Sequence, residues 1–127
     1  MDIESNLRER RKRLVLAAEE VARNPVSEAP EKSQLSRLIS ICGEATCVEE
    51  ICNYIRYQAS RRRPPWPQEF AKLIIEKIAP ALEALSADMR QQPERDQDRA
   101  RVAAWRLYAV YLSRALTYTR AVKGSPS

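Results

Sequence analysis

Two glycines, Gly43 and Gly124, are all that this chain of 127 residues contains. Tight hairpins need residues that tolerate positive φ, and glycine supplies most of them. A chain this poor in glycine has little means of pairing antiparallel strands. Its 44% hydrophobic content must therefore reach a core through helices. The length suits one domain, since compact domains commonly run to roughly 100–150 residues. The expectation is an all-α fold: a compact bundle of about five helices over residues 1–127, with long first and last helices and a kinked fourth.

Periodicity places those helices. From residue 2 to 23, Ile3, Leu7, Leu14, Ala18 and Val21 fall within about 60° on a helical wheel, an amphipathic helix. The run Arg8 to Arg13, "RERRKR", covers the rest of its circumference and reads first as a solvated face laced with i,i+4 pairs. Pro25 and Pro30 then enforce a loop, and Ser33 is a candidate N-cap for "QLSRLISIC". Gly43 closes that helix and Thr46 can cap a third, whose core stripe is Val48, Ile51, Cys52, Ile55 and Ala59. "PPWP" must break it. A fourth helix starts near Pro67, carries Phe70, Ile74, Ile78, Leu82, Leu85 and Met89 on one face, and contains Pro80, which predicts a bend rather than a stop. "RQQPERDQDR" has no apolar period, so residues 91–99 read as an exposed loop. A last helix spans about 98 to 122, apolar around most of its circumference, and residues 123–127 read as a flexible tail.

Several chemistries are disfavoured. The chain has no histidine, which removes the usual nucleophile pairs and the commonest general acid/base. Cys42, Cys47 and Cys52 are five apart, match no zinc spacing and lack a fourth ligand. Neither a catalytic site, a metal nor a cofactor is expected. No apolar run approaches the ~20 residues of a membrane span, and "MDIESNLRERRKRL" does not read as a signal peptide, so the chain reads as cytoplasmic with no membrane partner.

The charge is informative. Of 22 cationic residues 17 are arginine, and the net charge is +5. Arginine offers a planar donor fork that pairs with phosphate and stacks on bases. The densest run, Arg61, Arg62 and Arg63, follows a helix on which Tyr54 and Tyr57 lie with Arg61 opposite the core stripe, and precedes Trp66. Arg62 and Arg63 have a second reading as caps of the helix's terminal carbonyls. On the last helix Arg99, Arg106, Ser113, Thr117 and Arg120 form a narrow polar strip suited to phosphate and sugar. The candidate nucleic-acid contacts are Arg37, Arg56, Arg61, Arg62, Arg63, Arg106 and Arg120. Tyr54, Tyr57 and Trp66 are candidates for base stacking or a subunit interface.

Three segments, "SQLSR" (Ser33 to Arg37), "YIRYQASR" (Tyr54 to Arg61) and "ALTYTR" (Ala115 to Arg120), together resemble a family: the small α-helical subunit of type III CRISPR effector complexes. Thr117 and Arg120 stand where the family pattern has alanine and lysine, so the chain resembles a divergent member. The resemblance covers about residues 33 to 122. It implies a non-catalytic subunit, present in several copies, lying beside guide RNA and target RNA and against the backbone and large subunits. It also implies that Arg37, Arg61 and Arg120 contact the backbone of the paired RNA.

Guide pairing reads sequence, so such a subunit needs only charge, shape and stacking. Neutralising about four to six phosphates gives a log–log salt slope of order −3 to −5. Two other classes fit the letters. One is a helical adaptor that binds only protein. The other is a helix-turn-helix regulator built on "LISICGEATCVEEICNYIRYQ", disfavoured by Glu49 and Glu50 in the first turn of its second helix.

Overall fold

A computed structural model describes residues 2–24 and 28–122. Five helices account for nearly all of them: α1 (Ile3–Arg23), α2 (Lys32–Glu44), α3 (Val48–Ser60), α4 (Gln68–Asp88) and α5 (Glu94–Val122). There is no strand among the described residues, as the shortage of glycine requires. The expected tail 123–127 and Pro25 lie outside the described residues.

Helix ends follow local chemistry, with some differences from the expected caps. Asp2 starts α1 by accepting the amide of Ser5 at 2.8 Å, and this bond holds its carboxyl below the usual range. Ser33 is not the cap of α2: Glu31 takes that position, and Ser33 lies inside the first turn. Thr46 likewise lies one residue before the α3 cap, Cys47, and its amide is satisfied by the Glu50 carboxylate at 2.9 Å. Pro67 opens α4, where its missing N–H costs nothing. Pro80 does not end that helix. It is exposed, so water can take up the carbonyl one turn earlier that its ring deprives of a donor.

The polar stretch 91–99 is not a loop. Only residues 91–93 lie outside helix, and α5 begins at Glu94. The amides of Asp96 and Gln97 donate to the Pro93 carbonyl at 3.0 and 3.1 Å. These turns carry no apolar face because they extend beyond most of the core, but proline followed by acids is a good helix start.

α5 packs against all four other helices, which explains its nearly all-round apolar surface. α4 runs antiparallel to α1, tied by the Lys77–Glu20 pair (2.8 Å) and the Arg10–Asp88 pair. Arg10 thus leaves the expected solvated face of α1 to bridge two helices, while Arg8 keeps the expected i,i+4 pair with Glu4 at 3.6 Å. α2 runs antiparallel along α5, with Gly43 beside Arg106 and Pro30 beside Arg120.

The centre is aromatic. Trp105 meets Tyr108 edge-on at 5.3 Å, and Trp66 meets Phe70 at 5.7 Å. The hydroxyl of buried Tyr108 donates to the Ile74 carbonyl at 2.8 Å, satisfying its polar end.

Candidate nucleic-acid interface

The arginine run sits where α3 ends. The chain leaves helix at Arg61, whose backbone is extended (φ −69°, ψ 157°). That geometry strings Arg61, Arg62 and Arg63 along the surface, all exposed, around a shallow depression of about 480 Å³. Capping does not occupy them. Arg61 donates to the Gln58 side chain at 3.0 Å, whereas Arg62 and Arg63 make no hydrogen bond or ion pair among the described residues. A desolvated carboxylate partner would cancel this charge, and none is within 4 Å.

Tyr57, 62% exposed, stands one turn before Arg61 on the same side of α3. Tyr54 is different: it is half-buried against the core edge. Burial pushes its hydroxyl above the usual tyrosine range, opposed by the nearby guanidinium groups of Arg37 and Arg61. Arg37 from α2 therefore joins the group that the sequence placed on α3 alone. Arg37 and Arg61 thus both lie near Tyr54, and the exposed Tyr57, Arg62 and Arg63 adjoin it along the chain.

The remaining candidates lie elsewhere. Trp66 is a correction: it is fully buried, with Phe70 against it, so it offers no stacking surface. The proline-rich segment hid this, because it has no period from which to read a face. Arg56 lies roughly 160° around α3 from Tyr54, in a cleft against α4 with Lys72 and Glu76. Arg106 lies in a groove of about 1240 Å³ between the start of α1, the end of α2 and α5. Arg95 and Arg99 line it too, alternating with Glu4, Glu94 and Asp98. Arg95 was missed because its segment read as loop; once α5 starts at Glu94, Arg95, Arg99 and Arg106 share one side.

Arg120 is held for structure. Its Nη2 donates to the Pro30 carbonyl at 2.8 Å, tying the end of α5 to the entry of α2. The end of the polar strip of α5 is thus closed by the entry of α2, while Arg99, Arg106 and Thr117 on the same strip stay exposed. Arg120→Ala is expected to lower stability by about 1.5 kcal/mol, since a hydrogen bond from a charged donor is lost, while leaving RNA affinity within twofold. Urea denaturation and an RNA titration measure the two effects.

The cysteines behave as packing residues. Cys42 is buried and its thiol is pushed up to about 12 by desolvation, with Arg106 pulling the other way. Burial raises Cys52 as well. Ellman's reagent at pH 8 is expected to titrate the half-exposed Cys47 rapidly and the other two only on denaturation, because the thiolate is the reactive form. Among the described residues no group of three His, Cys, Asp or Glu side chains is placed to hold a metal ion, and no helix is long and apolar enough to cross a membrane.

Residues 45–47 join α2 to α3, but the two helices do not pack closely on each other as a helix-turn-helix pair must, and Glu49 and Glu50 are exposed in the first turn of α3, where a base edge or phosphate would approach. No family model matches the chain, and neither the curated proteins nor the solved structures include one that matches it.

Proposed function

We propose that this chain is a non-catalytic RNA-binding subunit of a ribonucleoprotein, with the resemblance of its three motifs pointing to the small subunit of a type III CRISPR effector complex. The observation that carries the reading is the exposed Arg61–Arg63 run, free of acidic partners and flanked by Tyr57. A guanidinium group left unpaired is available to phosphate, and an exposed tyrosine face is available to a base. The patch holds RNA through its backbone, leaving sequence to be read by guide pairing. The groove around Arg106 has both signs of charge in alternation, which suits a neighbouring protein subunit better than a polyanion. Several copies held side by side on such contacts convert weak individual RNA binding into retention by the whole particle.

Affinity purification of the tagged chain from its native cells tests this. The expected result is a larger complex retaining a short RNA of defined length. A chain that purifies alone, or with protein partners and no RNA at low salt, refutes it and favours the protein-only adaptor.

A further inference from the structure

A second surface departs from the expected burial of α5. Tyr111 and Tyr118 fall on the apolar side of that helix in sequence, yet Tyr118 is 71% exposed and Tyr111 is only half-buried. They stand two turns apart, with Arg114 between them on the same side. α1 supplies the facing wall through Val15, Glu19, Ala22 and Arg23, leaving a groove of about 430 Å³. Neither Arg23 nor Arg114 makes an ion pair or hydrogen bond among the described residues.

We propose that this groove between α1 and α5 is a separate binding site for single-stranded nucleic acid. Tyr118 offers a ring on which one base stacks, and the small side chains of Ala22 and Ala115 leave room beneath it. Arg23 and Arg114 reach the flanking phosphates, and the Glu19 carboxylate accepts from an exocyclic amino group or a 2′-hydroxyl. An exposed ring set between two cations favours a nucleotide over the apolar helix of a protein partner. Arg23 and Arg114 against Glu19 give the anion preference, since Glu20, the other acid near Arg23, is itself paired with Lys77, and stacking is tolerant of base identity. This site shares no residue with the patch around Arg61 and lies on the flank of α5 roughly opposite α2. It extends the proposed function: the chain holds a paired RNA at one surface and a loose strand at another.

Fluorescence anisotropy of the full chain at low salt distinguishes the two sites, using an unstructured 12-nucleotide pyrimidine RNA and a blunt 12-base-pair RNA duplex. The double change Tyr118→Ala with Arg114→Ala is expected to weaken single-strand binding by about tenfold or more and leave duplex binding unchanged. Tyr118→Phe, which keeps the ring, should retain most of the affinity. Replacing Arg61, Arg62 and Arg63 by alanine should lower duplex binding far more than single-strand binding, so loss of duplex binding reports on the proposed function separately. A 4-thiouridine strand should crosslink to the peptide containing Tyr118. Unchanged single-strand affinity in the double variant overturns the proposal. So does a change confined to self-association in sedimentation, which would mark the groove as a protein contact.

Discussion

Alanine in place of Trp66 is expected to destabilise the protein by about 3–5 kcal/mol, the usual cost of deleting a large aromatic from a packed core. Domain stabilities are typically only about 5–15 kcal/mol, so the variant will be marginal or unfolded at 37 °C. Trp66 has no exposed surface and packs its ring on Phe70 at the start of α4. Its loss would detach the segment that joins α3 to α4. Trp66→Phe is the informative companion. It keeps an aromatic body and removes an indole N–H that has no hydrogen-bond partner, so its loss should be distinctly smaller. Thermal and urea unfolding followed by circular dichroism measure both. Were Trp66 a stacking platform, the alanine variant would keep its stability and lose RNA binding instead.

The second large effect belongs to the patch. Replacing Arg61, Arg62 and Arg63 together by alanine removes up to three of the proposed phosphate contacts. Counterion release then predicts a log–log salt slope shallower by about 2–3 and an affinity for duplex RNA lower by roughly 100-fold near 0.15 M salt. Stability should stay within about 0.5 kcal/mol, because exposed side chains without partners contribute little to the fold. Binding measured at several salt concentrations provides the slope. An unchanged slope would remove the patch from the RNA-binding account even if affinity fell.

Trp66 and the run Arg61 to Arg63 lie only three to five positions apart in sequence, and the distinction between them is not legible there. A helical wheel assigns a face only where the chain is helical. Tyr57 and Arg61 could be placed opposite the core stripe of α3, and Tyr57 is indeed exposed. Trp66 lies between prolines, outside any period, and only the return of α4 against α3 decides that its ring points inward. Arg120 shows the same limit in another form. Its place on a polar strip was readable, but its hydrogen bond to Pro30 joins residues 90 positions apart.

Local chemistry alone determined that this protein is helical, roughly where four of its five helices begin and end, and which stripe of each is apolar. Those properties depend on neighbours within one turn: side-chain period, proline, and the scarcity of glycine. Tertiary structure decided which flanks of the stripes were covered. α2 took one side of α5 and enclosed part of its polar strip, while α1 left Tyr118 uncovered on the other side. Burial is a property of pairs of elements, and pairing across tens of residues leaves no periodic trace in either partner.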